Sequence, residues 1–564
     1  MRALPILLAL LCGCGEVWND PYPASERGDN IFYTSFINRP KHLDPVQSYT
    51  ADEADFTMQV YEPPLQYHYL KRPYQLVPLT ALEVPEAREV GGGRFTEYEI
   101  RIRPGIRYQP HPGFVEENHA LAPGRISALK SPYELPLGTR ELLADDYIYQ
   151  IKRLAHPRLH SPIFGLMSEY IVGLREYAAE LRRLDRGGGW LDLRRHPLKG
   201  VEKTGSHSFK VTLHGSYPQF VYWLAMPFFA PMPWEAERFF AQPGMAERNL
   251  TLDWWPVGTG PFMLSENNPN SRMVLERNPN FRGEPYPSEG EPGDAAAGLL
   301  QDAGRTMPFL DRVVFTREKE SIPYWNKFLQ GYYDVSGIGS DQFDQAVRVS
   351  IEGAAEPSAE MLEKGIRLST LVSATIYYFG FNMKDPLVGG SSERARKLRQ
   401  AISIAVDMEE YLSIFANNRG VVAHSPVPPG IFGRREGGEG INPVTHVWRD
   451  GREQRRPIED ARKLLAEAGY PDGRDPRTGA PLLLYFDTTS RGPGDKSRLD
   501  WWRKQLAKLS IQLEVRETDW NRFQEKIRKG TQQMYGLGWA ADYPDAENFL
   551  FLLHGPQARA DGAG

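Results

Sequence analysis

Cysteine is nearly absent: Cys12 and Cys14 are the two in 564 residues, so the rest of the chain has no disulfide framework and no cysteine-ligated metal. Neither charge sign dominates. The 67 Lys and Arg against 72 Asp and Glu leave a net charge of -5, which gives no electrostatic footprint for nucleic acid. Beyond the N-terminus no stretch approaches the ~20 apolar residues that a membrane-crossing helix needs. No repeat recurs at solenoid or propeller spacing. The GxxxxGK[ST], GxSxG and HExxH patterns are all missing. These absences exclude collagen-like, coiled-coil, membrane-spanning and disulfide-stapled proteins.

What is present is a chain too long for one hydrophobic core, so at least two lobes are expected. Gly (52) and Pro (46) make it rich in turns, and aromatics at 12% suffice to line a sizeable cleft. Short β-rich runs fall at 31–36, 95–102, 209–213, 310–315, 375–381, 482–486 and 511–515. Helical patterns alternate with them at 144–154, 395–412, 459–468 and 501–509, the first placing Tyr147, Ile148, Ile151 and Leu154 on one face. The class is therefore α/β or α+β. Residues 283–306 and 430–457 read as exposed loops without a chemical signature.

The N-terminus carries Arg2, a nine-residue apolar stretch, and Leu11-Cys12-Gly13-Cys14. This resembles a bacterial lipobox, in which Cys14 takes the lipid; the alternative is an ordinary cleaved signal peptide. Acyl chains then hold the protein to a membrane without a span. Residues 15–28 read as a tether.

Catalytic and metal patterns fail on inspection. Gly536-Leu537-Gly538-Trp539-Ala540-Ala541 fits GxGxxA formally, but Asp542-Tyr543-Pro544 follows where a helix must open. His156 and His160 are spaced by four, with Pro157 between them and no acidic or cysteine partner near. No cofactor is indicated. An exported, aromatic-rich chain of two or more lobes without a catalytic signature favours ligand capture in a cleft. A secreted hydrolase, whose carboxylate pair sequence cannot locate, is the alternative from another class.

Several segments carry more than periodicity. His42-Leu43-Asp44-Pro45, Tyr98-Glu99-Ile100-Arg101-Ile102-Arg103-Pro104-Gly105, Ala144-Asp145-Asp146-Tyr147, Pro256-Val257-Gly258-Thr259-Gly260-Pro261-Phe262 with Glu276-Arg277-Asn278-Pro279, and Gly538-Trp539-Ala540-Ala541-Asp542-Tyr543-Pro544-Asp545-Ala546-Glu547-Asn548-Phe549-Leu550 follow one another in a single order. Together they resemble the family 5 extracellular solute-binding proteins, the peptide-binding components of bacterial ABC importers. The resemblance runs from about residue 30 to 553. It implies an α/β fold of periplasmic-binding-protein type: lobe one from 29–50 and 205–315, an appended α+β domain at 51–204, and a second lobe at 316–564. A hinge would close the two lobes over an extended ligand.

Among site residues, the resemblance implies that Asp542 receives a peptide's α-amino group; the alternative is that it merely caps a turn. Gly538, Trp539 and Ala540 would flank the ligand, Tyr49 would line the opposite wall, and Gly258 and Gly260 would serve a tight turn. Implied partners are a peptide, an inner-membrane permease with its ATPase subunits, and the membrane through the anchor. The protein would be a monomer on the periplasmic side. An oligosaccharide, haem or a nickel complex is the alternative ligand within the same fold. Gly536 and Leu537 stand where some peptide binders place basic residues, so a ligand carboxylate must be read elsewhere or not at all. The chain stops at Gly564, 22 residues beyond Asp542, where family members continue, and a C-terminal truncation is expected.

Overall fold

The computed structural model describes residues 21–185, 187, 189–349, 355–489 and 495–555. The expected lipidation site, Cys14, lies outside the described residues. In chain order the elements that position the cleft begin with β1 (Ile31–Phe36) and α1 (Ala51–Val60). An excursion follows, with β2 (Ala87–Val90), β3 (Phe95–Arg101), α2 (Ala144–Arg153), β4 (Val201–Gly205) and β5 (Ser208–His214). The chain returns through β6 (Phe262–Asn268), β7 (Arg272–Arg277) and β8 (Arg312–Arg317). The second lobe holds β9 (Thr375–Phe381), α3 (Glu393–Ala405), α4 (Met408–Phe415), α5 (Ile458–Glu467), β10 (Leu483–Thr489), α6 (Lys496–Ala507), β11 (Gln512–Thr518), α7 (Trp520–Lys529), β12 (Met534–Ala540) and α8 (Glu547–Leu550).

Three four-stranded sheets result. The first-lobe sheet has the order β1-β8-β7-β6, with β1 and β8 parallel and Ile31 opposite Arg312. The excursion forms the antiparallel sheet β2-β3-β5-β4. The second lobe has the order β9-β12-β10-β11. Strand β5 belongs to the excursion's sheet, so that sheet runs past the expected boundary at residue 205.

Local sequence explains the strands. In β3, Thr96, Tyr98 and Ile100 are buried while Glu99 and Arg101 face water, and in β5 Phe209, Val211 and Leu213 repeat the period of two. One helical expectation needs correction and another is extended. Residues 395–412 are not one helix: Val406 is extended, and the Asp407 side chain accepts from the Glu410 N–H at 3.0 Å, capping a second helix. Helix α2 does bury Tyr147 and Ile151, but it also buries Tyr149, Gln150 and Arg153 on other faces. Arg153, 1% exposed, donates to both Asp44 oxygens at 2.9 and 2.6 Å and to Glu237 at 2.9 Å. A buried guanidinium is tolerable here because two carboxylates compensate it.

Gly258 and Gly260 do not adopt a left-handed turn. A Cβ on Gly258 would stand 1.9 Å from the Val60 carbonyl oxygen, and the Gly260 N–H donates to that same oxygen at 2.9 Å. Close approach to the end of α1, rather than positive φ, requires glycine there.

Candidate ligand cleft

Strand β12 pairs with β9 along its whole length, Ile376 opposite Trp539 and Tyr377 opposite Gly538. Its other neighbour, β10, meets it only at Phe486–Met534 and Asp487–Tyr535. The Ala541 N–H donates to the Ala374 carbonyl at 2.9 Å, so odd-numbered residues of β12 aim their backbone groups at β9. By alternation Gly538 and Ala540 aim theirs at the other edge, which is unpaired beyond Tyr535 among the described residues. A Cβ on Gly538 would stand 2.8 Å from the Tyr377 ring, so glycine lets that ring, 81% exposed, lie across the strand.

Just past β12, Asp542 meets the first lobe. The Tyr49 hydroxyl donates to Asp542 Oδ2 at 2.9 Å, and Asn548 Nδ2 donates to the same oxygen at 2.9 Å. Asn548 Oδ1 in turn accepts from the Asp542 N–H at 2.8 Å and from Trp539 Nε1 at 3.2 Å. The Tyr49 ring stands edge-on to Trp539 at 5.9 Å and to Phe228 at 5.4 Å. Asp542, Trp539 and Tyr49 are thus brought together. Gly538 and Ala540 lie on the adjoining strand edge.

Asp542 does not serve as the turn cap. Asp545 takes that part, its Oδ1 accepting from the Glu547 N–H at 2.8 Å at the start of α8. Asp542 makes no ion pair among the described residues. Burial raises its carboxyl above the usual aspartate value, and the hydrogen bonds from Asn548 and Tyr49 only partly offset that. An anion held this way is short of one positive partner.

Four features escaped sequence reading. Glu53, 2% exposed, accepts from the N–H groups of Lys41, His42, Tyr49 and Thr50 at 2.8–3.1 Å and so pins the loop that carries Tyr49. The Thr50-x-x-Glu53 capping-box spacing was its available signal. Asn548 lies within the Gly538–Leu550 motif, but its role depends on the turn that brings it back to Asp542. The Tyr67 hydroxyl is buried, without a hydrogen-bond partner among the described residues, and close enough to Asp542 for its charge to be felt. Tyr543, 2% exposed, stacks on Tyr222 at 5.6 Å in the first-lobe core, whereas Phe549 packs with Ile376 in the second. The short segment from Asp542 to Phe549 therefore engages both lobes. The cleft between them measures ≈ 4020 Å³, with Tyr49, Tyr67 and Phe228 on one wall and Tyr377, Trp539 and Asp542 on the other. Among the described residues no group of three or more His, Cys, Asp or Glu is placed to hold a metal.

Residues 138–561 match the family model described as bacterial extracellular solute-binding proteins, family 5, middle region. The chain belongs to that family. Its members are binding proteins. The chain is 25% identical to the periplasmic oligopeptide-binding protein OppA of Salmonella typhimurium over 411 residues, covering 72% of this chain and 62% of that protein. It is 22% identical to the dipeptide-binding protein of Escherichia coli over 430 residues, 75% of this chain and 65% of that one. The family 5 chain thus spans a little under two thirds of either relative's length. Among solved structures, the periplasmic binding protein DppA from Helicobacter pylori in complex with peptide STSA superposes with a TM-score of 0.61 at 18% identity, covering 94% of this chain and 82% of that one. The fold is that of the peptide-binding type of periplasmic binding protein, as the motif order implied.

Proposed function

We propose that this chain is the substrate-binding component of an ABC importer and captures peptides in the cleft between its lobes. The observation that carries the reading is a buried carboxylate, Asp542, that has no cation among the described residues and stands beside a strand edge unpaired among them. An incoming α-ammonium supplies the missing charge, and a charge-assisted hydrogen bond strengthens as the closing lobes exclude water. The ligand's main chain pairs with Gly538 and Ala540 as an added strand, which reads backbone and tolerates many side chains. Trp539 and Tyr49 wall the first side chain. The closed form is then recognised by a membrane permease with its ATPase subunits. Cys14 supplies a lipid anchor on the periplasmic side, and the protein acts as a monomer without a cofactor.

Native mass spectrometry of the purified protein tests this. Excess masses that fragment into amino-acid ladders support the reading, and added free peptides should bind while their N-acetylated counterparts bind at least about tenfold more weakly. An excess mass of a sugar, haem or a nickel complex keeps the fold and replaces the ligand. Equal affinity for free and acetylated peptides removes Asp542 from amine recognition.

A further inference from the structure

Part of the 430–457 segment, expected to be exposed loop without chemistry, joins His424 and Ser425 to wall a second cavity of ≈ 200 Å³. His424, Ser425 and Arg434 line both this cavity and the cleft, so they form the neck between the two spaces. Two polar atoms at that neck are buried and make no hydrogen bond among the described residues: Arg434 Nε and His424 Nδ1. One other nitrogen of each side chain is engaged. Arg434 Nη1 donates to the Val427 carbonyl at 3.3 Å, and His424 Nε2 lies 2.9 Å from Glu453 Oε2.

Nearby carboxylates do not complete Arg434. Glu436 stands 3.9 Å from Nε, beyond hydrogen-bond reach, and its side chain is 84% exposed. Glu453 is engaged by His424, and Glu439 pairs with Arg435 at 3.1 Å. A buried guanidinium N–H without an acceptor is costly, and the cost is recovered when an acceptor arrives. The neck also adjoins the proposed strand-pairing edge. The Arg434 N–H donates to the Ile431 carbonyl, and Ile431 and Val427 share a cluster with Trp539 and Phe549. A Cβ on Gly433 would stand 3.5 Å from that of Ala546, on the turn that follows Asp542. The cavity therefore opens from the cleft wall close to Trp539, with room for one side chain and a few waters.

We propose that this cavity is a side pocket of the cleft that takes a carboxylate side chain of the ligand, with Arg434 reading its charge and His424 bounding the neck. The inference rests on the peptide reading above and deepens it: the chain favours peptides that carry an aspartate or a glutamate. Backbone pairing alone has no such preference, and neither does ammonium capture at Asp542.

The test is equilibrium binding of alanine pentapeptides in which one glutamate, or one glutamine, is moved through each position. Wild-type protein should bind the glutamate form at least about tenfold more tightly at one position. Arg434→Gln should bring that ratio close to one, Arg434→Lys should leave an intermediate ratio, and Asp542→Asn should weaken both peptides while keeping the ratio. Equal affinities for glutamate and glutamine at every position in the wild type overturn the proposal, as does a folded Arg434→Gln protein that keeps the ratio. Should Arg434→Gln fail to fold, the wild-type ratio and Arg434→Lys decide. If no peptide in the series binds, the peptide reading fails and takes this inference with it; if all bind without a glutamate preference, this inference alone fails.

Discussion

The first lobe and the excursion share one continuous core, in which Phe56, Tyr108, Tyr147, Phe209 and Phe239 interlock, whereas the described part of the second lobe spreads its apolar residues over three separate clusters. Buried ion pairs occur in both: Arg153 with Asp44 and Glu237, and Arg140 with Asp146 and Glu235, fall in the first region, and Lys526 with the buried Asp487 falls in the second. Large exposed apolar side chains gather in the second, where Leu371, Val372 and Tyr377 line the cleft. One region is built as a fixed platform. The other keeps separately packed pieces and, among its described residues, an open strand edge.

The sharpest way to break this comparison is Arg153→Met, which leaves Asp44 and Glu237 buried without their cation and should cost about 3–5 kcal/mol. Denaturant unfolding followed by hydrogen exchange should show the first region losing protection while β9 to β12 keep theirs. Simultaneous loss in both would mean that the two regions form one cooperative unit. A smaller effect is expected of Met361→Ala, in the cluster with Trp325, Ala346 and Val347. It should cost about 2 kcal/mol, the low end for such a truncation, and loosen exchange locally.

At the junction of the two regions, Asp542→Ala should weaken peptide binding by at least about 1.5 kcal/mol, measured by calorimetry. Its pH dependence has two opposite signs. Burial raises the Asp542 carboxyl above 3.8, so its contribution to the stability of the empty protein is present at low pH and is lost as pH rises through the raised value. Peptide capture needs the ionised form, so affinity should fall as pH drops through that same window. Asp542→Asn should flatten both profiles; a wild-type affinity that stays constant across the window would dissociate binding from this carboxylate.

Much of the fold was legible because its signals are local. The period of two in β3 and β5 placed strands within a residue or so, and the apolar spacing of α2 placed that helix. The break between α3 and α4 was also local but subtler, since Asp407 caps a helix while the apolar period runs on across it. The burial of Arg153 was not legible for a different reason: its partners Asp44 and Glu237 are distant in sequence. In the site, the motif order pointed to Asp542, Trp539 and Tyr49; Asn548 lay within the last motif without a role, and Arg434 carries no motif at all.

The sequence by itself determined the alternating classes of element, the lack of catalytic patterns and the family, because periodicity and motif order are written along the chain. Only the tertiary structure decided which polar groups are left without partners. Asp542 lacks a cation, Arg434 Nε lacks an acceptor and β12 lacks a neighbour beyond Tyr535 among the described residues, and each follows from what distant segments bring near. The physical reason is that burial and hydrogen-bond satisfaction are properties of a neighbourhood assembled from the whole chain, whereas helix and strand patterns are properties of a stretch of it.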